Sequence, residues 1–173
     1  MQRYLFLLLL LTAPRMGSAV EVVGWVEKAH IFPGNMLVKA RVDTGAKTSS
    51  LSADALRYFE REHETWVRFS TTNYKGSTIW LEQKVSRVAH IKQNDGGLKE
   101  RPVIRLSICL AHIYQETEVT LENRDQMNYQ LLIGRAFLNG HFLVNPKAVF
   151  TNPPRCSEGI SKPPSVPPQL KAQ

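Results

Sequence analysis

A carboxylate at the end of an alternating strand raises the chemical question in this chain. Val38, Ala40 and Val42 alternate with Lys39, Arg41 and Asp43, so the two sets face opposite sides of a strand. The strand then runs into Asp43-Thr44-Gly45-Ala46-Lys47-Thr48-Ser49-Ser50. Asp and Gly together often do no more than turn a chain. The alternative is that the loop places Asp43 for chemistry. A lone carboxylate is a poor catalyst of amide hydrolysis at neutral pH. Two that share a proton divide the work, because adjacent like charges cannot both ionise. One takes a proton from water and the other donates one to the carbonyl oxygen.

The neighbours suit such a role. Gly45 leaves room for a second backbone or a substrate. Thr44 offers a hydroxyl that can bond across a subunit boundary. Ser49 and Ser50 can donate to loop carbonyls or cap a following helix. Lys47 is a candidate for attracting an acidic substrate, a solvated surface lysine being the plainer account. Downstream, Leu131-Leu132-Ile133 leads into Gly134-Arg135. A core of this size with one Asp-Thr-Gly holds half a carboxylate pair, so the other half must come from a second copy across a twofold axis.

Short apolar runs separated by turn residues position these groups. Glu21 to Ile31 and Met36 to Val42 read as strands joined at Pro33-Gly34. Leu51 to Phe59 reads as a short helix. Trp66 to Ser70 and Thr78 to Ile91 read as strands separated by Asn73-Tyr74-Lys75-Gly76. Val103 to Leu110 and Ile113 to Leu121 alternate with period two, which implies a sheet with one face buried. Gln130 to Ile133 reads as a buried strand, and Arg135 to Asn139 as one helical turn stopped by Gly140. Phe142 to Val144 completes the set. The pattern is that of a small all-β barrel or sandwich.

The 173 residues carry a formal net charge of +7. The start, with Arg3, an apolar run from Tyr4 to Leu11 and small residues at Gly17-Ser18-Ala19, resembles a secretory leader and is too short to span a bilayer. A retained anchor is the alternative. Without Arg3 and Arg15 of residues 1–19 the charge is +5, and without Arg155, Lys162, Lys171 and Glu158 of the tail it is +3. That mild excess lacks the basic, aromatic-lined stripe of a nucleic-acid binder. The expected organisation is a leader over 1–19, one domain over 20–151 and a Pro-rich disordered or extended tail over 152–173. Export would place the protein in the periplasm or outside the cell, with no membrane contact once the leader is cleaved. It would also permit a disulfide between the two cysteines, Cys109 and Cys156.

V-K-A-R-V-D-T-G-A-K-T-S-S-L-S-A, with R-P-V-I, N-R-D-Q-M-N-Y-Q-L-L-I-G-R-A-F-L and F-L-V-N-P, resembles the bacterial family named "ATP-dependent zinc protease". That family is retropepsin-like, and its relatives include proteins associated with the RimK glutamate ligase. The resemblance runs from about Val23 to Asn145. It implies an all-β, closed or semi-open barrel of the retropepsin type with one or two short helices, active as a homodimeric aspartic endopeptidase on a peptide or protein. An acidic, Glu-rich substrate fits the kinship with glutamate ligases. Asp43 is then the catalytic aspartate, with Thr44 and Gly45 as loop partners and Ala46, Gly134 and Arg135 in support. Family members often carry His at the place of Ser52 and Asp at that of Asn145.

A retropepsin also needs a flap that closes over substrate. The tip from Ile91 to Arg101, with Gly96-Gly97 as its turn, is the first candidate and Asn73 to Gly76 the rival. No cofactor or metal is expected. His63-Glu64 lacks the second His of a zincin helix, and His30, His90, His112 and His141 are scattered. No G-x-x-x-x-G-K-[ST] loop is present for ATP. Two readings compete with the enzyme: a non-catalytic peptide-binding module, and a structural accessory protein whose Pro-rich tail recruits partners.

Overall fold

Alternation of apolar and polar residues becomes strand pairing in the computed structural model, which describes residues 20–92, 96–123 and 128–156. In chain order the strands are β1 (Glu21–Phe32), β2 (Met36–Val42), β3 (Ser49–Ser52), β4 (Asp54–Arg61) and β5 (Glu64–Thr72). Then come β6 (Thr78–Lys92), β7 (Leu98–Leu110), β8 (Ile113–Glu122) and β9 (Leu131–Ile133), the helical turn α1 (Arg135–Leu138), and β10 (Phe142–Val149). The expected leader over 1–19, residues 93–95 of the expected flap tip and the tail from 157 on lie outside the described residues.

The strands hydrogen-bond in the order β10-β1-β2-β9-β3-β8-β7-β6-β5-β4, and an added pairing of β1 with β7 joins β1-β2-β9-β3-β8-β7 into a closed ring. The closure runs from Ala29↔Leu110 to Phe32↔Ser107. The expectation of an all-β chain with a short helix is met. Val38, Ala40, Leu51, Ile104, Leu106, Ile108, Leu121, Leu131 and Ile133 fill the ring, and each is at most 1% exposed. Burial of each large side chain among them contributes about 1.5–3 kcal/mol.

The helix expected over 51–59 is not formed. Ser49–Ser52 is buried throughout, locked between β8 (Ser49↔Val119 to Ser52↔Glu122) and β9 (Leu51↔Leu131). Asp54–Arg61 pairs with β5 instead, as in Phe59↔Trp66. Neighbouring strands supply the backbone partners that a helix would otherwise satisfy internally, and they override a weak local preference. Ala55, at φ 52°, lies within β4, where the register with β5 shifts between Asp54 and Arg57.

After β10 the chain remains attached. The buried Glu27 carboxylate accepts from the backbone N–H of Gly24 at 2.7 Å and of Thr151 at 3.0 Å, and also from the Thr151 hydroxyl. The backbone N–H of Arg155 donates to the Ala111 carbonyl. Cys156 forms a disulfide with Cys109, their Cα atoms 6.0 Å apart. The first residues of the Pro-rich segment are thus a strap across the ring.

Candidate active site

Three segments meet at Asp43. β2 delivers it, and β9 lies parallel beside β2 with Val42 opposite Ile133. The ladder carries one step further, since the Asp43 N–H donates to the Ile133 carbonyl at 2.9 Å. The next residue of that segment, Gly134, passes so close to the returning loop that a Cβ would lie 2.8 Å from the Thr48 carbonyl carbon and 2.9 Å from the Lys47 oxygen. No side chain fits there. The Gly134 N–H donates to Ser49 Oγ at 3.2 Å, which gives that serine a role as acceptor beneath the loop.

Arg135 fastens the loop from outside. Its Nη1 donates to the carbonyls of Thr44 (2.8 Å) and Gly45 (2.7 Å). Its backbone N–H donates to the Ala46 carbonyl at 2.9 Å, and the Ala136 N–H to the Lys47 carbonyl at 3.0 Å. The start of α1 thereby holds four consecutive carbonyls, Thr44 to Lys47, in place.

The two oxygens of Asp43 differ. Oδ1 accepts from the Gly45 N–H at 2.9 Å and the Ala46 N–H at 3.3 Å, which fixes the carboxylate plane. Oδ2 has Arg41 Nε at 3.9 Å, a loose contact beside a side chain that is 24% exposed. Thr44 and Gly45 are exposed. The loop therefore leaves the Asp43 carboxyl partly exposed beside an uncovered Thr-Gly step. Arg41 was not singled out from sequence, although period two already placed it on Asp43's side of the strand.

Beside the loop lies a cleft of about 820 Å³. Ala46, Lys47 and Thr48 form one wall, Arg87 to Ile91 of β6 another, and Glu118 and Thr120 of β8 contribute to its lining. Arg87 grips Glu118 with Nε at 3.1 Å from Oε1 and Nη2 at 2.6 Å from Oε2. That hydrogen bond holds the Glu118 carboxyl below the usual carboxylate range, with smaller help from the charges of Arg105 and Lys47, and it raises Arg87 in turn. Lys47 thus reaches this cleft and faces a carboxylate that sequence reading missed. The signal was available: Glu116 and Glu118 stand on the polar face of an alternating strand.

The hairpin of β6 and β7 is the one that lines the cleft. Gly96 and Gly97 sit toward its tip, Gly96 at φ +85° with nothing within 4 Å of a Cβ, and neither is a lining residue. The rival turn is closed on itself, Asn73 Oδ1 accepting from the N–H of Lys75 (2.9 Å) and Ser77 (3.0 Å). Ser52 is buried in β3, its N–H donating to the Gln130 carbonyl at 2.7 Å. Asn145 accepts from the Lys147 N–H at 3.0 Å on β10. The described residues do not fit a zinc ion. Among the described residues no group of three or more His, Cys, Asp or Glu side chains is placed to hold one.

A closed ring of strands, an Asp-Thr-Gly loop and a Gly-Arg segment packed beneath it define the retropepsin-like class. The RimB-like family model, described as the retropepsin-like aspartic endopeptidase RimB, matches residues 22–155, and the chain belongs to that family. Relatives named "Probable alpha-L-glutamate ligase" occur in Shewanella halifaxensis, 40% identical over 124 residues, and in Desulfotalea psychrophila, 34% identical over 133 residues. Those matches cover 69% and 74% of this chain but only 27% and 28% of the relatives, so the chain spans about a quarter of their length. A solved structure of a Legionella pneumophila protein, titled as of unknown function, superposes with a TM-score of 0.64 at 32% identity. It covers 75% of this chain and 96% of that one.

Proposed function

We propose that this chain is an exported aspartic endopeptidase, active as a homodimer in which each copy supplies one Asp43. The observation that carries the reading is the loop itself: Oδ1 pinned by two backbone N–H groups, the carboxyl partly exposed, and Thr44 and Gly45 uncovered. In the dimer the two carboxyls share a proton. The ionised one takes a proton from water as its oxygen attacks the peptide carbonyl carbon, and the protonated one donates to the carbonyl oxygen. Collapse of the tetrahedral species breaks the C–N bond, and the amine leaves with a proton returned by the carboxyl pair. The apparent pKa values of such a pair belong to both residues together.

A surface for the second copy lies at the same end of the ring. β1 runs antiparallel to β2, so its start lies where β2 ends at the Asp43 loop, and β10 begins beside it with Val22 opposite Leu143. Val22 is 51% and Leu143 61% exposed, an apolar pair suited to cover by its own symmetry mate. The Cys109–Cys156 disulfide supports export to an oxidising compartment.

The substrate class follows from two supports. Lys47 reaches the cleft, and the curated relatives bear the name of a glutamate ligase. An acidic, Glu-rich peptide is the substrate that suits both. The decisive experiment incubates the purified protein with a mixed peptide library from acidic to neutral pH, comparing wild type with Asp43→Asn. Cleavage present in the first and absent in the second is the expected result. Cleavage surviving in Asp43→Asn, or none in wild type at any pH, sinks the reading.

A further inference from the structure

Strands β6, β5 and β4 form the far end of the strand order, outside the closed ring. On one face of this arm the register places Arg57 opposite Arg68 and Phe59 opposite Trp66. On the next strand Glu82 lies beside Arg68, and Lys84 beside Trp66. Trp80 shares that face of β6, one period before Glu82. The intervening Val67, Phe69 and Leu81 are buried in the core. The face with the rings and cations is therefore the one left to solvent. Trp80 is 49% exposed there, and Arg57, Arg61, Arg68 and Lys84 are all exposed.

The charges on this face do not balance. Arg61 lies over the rings of Phe59 (5.1 Å) and Trp66 (4.6 Å) and donates to Glu82 at 2.7 Å. Lys84 pairs with Glu64. Both carboxylates are thus engaged, while Arg57 and Arg68 have no ion pair among the described residues. Like charges directly opposite on neighbouring strands repel, and an anion between them removes that cost. Arg68 is stacked on Trp80 at 5.1 Å. Stacking uses the flat side of a guanidinium and leaves its in-plane N–H groups for an anion.

The surroundings choose among anions. Single-stranded nucleic acid stacks its bases on bare aromatic faces, and here guanidiniums already lie over the rings. An extended peptide takes its affinity from a strand edge or a groove, whereas these residues occupy the broad side of a sheet. A bilayer surface is planar, carries phosphates, and favours Trp together with basic side chains at headgroup level.

We propose that this face docks on an anionic lipid surface, with Arg57 and Arg68 on headgroup phosphates and Trp80 at headgroup level. The patch measures about 14 Å along the strands and about 10 Å across them, so the contact is reversible and superficial. It goes beyond the peptidase reading by setting the protein at a membrane face. The sequence pointed to no membrane contact because Arg57, Arg68 and Trp80 meet only through strand pairing.

The test mixes the purified protein with vesicles of phosphatidylglycerol and phosphatidylcholine in equal parts, or of phosphatidylcholine alone, and reads co-sedimentation. Binding is expected to be at least about tenfold stronger to the anionic vesicles and to fall as salt rises. Arg57→Gln with Arg68→Gln is expected to weaken it about tenfold or more. Lys147→Gln with Arg155→Gln removes the same charge elsewhere and is expected to cost less than about threefold. Brominated lipid is expected to quench tryptophan fluorescence; Trp80→Phe removes most of that quenching and Trp25→Phe leaves it. Equal binding to both vesicles, no binding to either, equal losses in the two double variants, or quenching that survives Trp80→Phe overturns the proposal. So does tighter binding of oligothymidylate, a poly-glutamate peptide or free glycerol phosphate that the arginine variant abolishes, since the face then belongs to that ligand. Should the arginine variant not fold, the quenching comparison decides alone. None of these readouts involves cleavage, so the peptidase reading is tested separately.

Discussion

Arg135 and Gly134 act on Asp43 without touching it, and their contributions are separable. Arg135→Ala deletes two donors to the Thr44 and Gly45 carbonyls and is expected to lower peptidase activity at least about tenfold while costing roughly 1–3 kcal/mol in denaturant unfolding. Arg135→Lys should recover stability better than turnover, because a rotatable ammonium lacks the rigid guanidinium plane that aims both N–H bonds of Nη1 at the two carbonyls. Gly134→Ala meets backbone atoms at 2.8–2.9 Å, and an overpacking cost of about 1–3 kcal/mol is expected. If calorimetry finds it neutral, the close packing of loop and β9 carries no weight. Asp43, Gly134 and Arg135 were readable from sequence because their types and order are unusual together. Ser49 as an acceptor and Glu118 as Arg87's partner were not, since each depends on strands distant in the chain.

At the level of elements, the Arg87–Glu118 pair links β6 to β8 across β7. Its carboxyl is held below the usual value by that hydrogen bond, so any stability it adds is present above about pH 4.5 and is lost as pH falls through the lowered value. The effect is small because both side chains keep a third or more of their surface in solvent. Glu118→Gln is expected to flatten the acid limb of the unfolding curve slightly and leave stability at pH 7 within about 1 kcal/mol. An unaltered acid limb removes the pair from the account of that strand contact. Most strands were legible from period-two patterning: Val38, Ala40 and Val42 on β2 and Ile104, Leu106 and Ile108 on β7 are buried as that pattern requires. The segment 51–59 was misread because Leu51 and Leu56 carry too little apolar signal to separate a helix from two short strands. What fixed it was Leu131 and Leu121 on either side of Leu51, and β5 beside the residues that follow. The same long-range cause explains why β7 begins at Leu98, ahead of its apolar run from Val103.

For the whole molecule, the proposed dimer and the strap carry the predictions. Val22→Glu combined with Leu143→Glu places charge on the exposed apolar pair and is expected to give a folded monomer by sedimentation, with peptidase activity lost. A charged variant that remains a dimer moves the interface elsewhere. Cys109→Ser with Cys156→Ser is expected to lower stability by about 2–4 kcal/mol, read as a shift in denaturant midpoint. The ring's closure through β1 and β7 was not legible from sequence, because it joins an early strand to a late one with no motif at the seam. Cys156 looked like part of a tail because proline dominates its neighbours, and only the position of Ala111 and Glu27 in space reveals what holds it.

The same bridge makes 47 residues of separation into a covalent circle. A single nick anywhere between its two sulfurs leaves one molecule of unchanged mass apart from an added water. A cut within β8, β9, α1 or β10 is consequently silent on an ordinary non-reducing gel, and two fragments emerge only after thiol treatment.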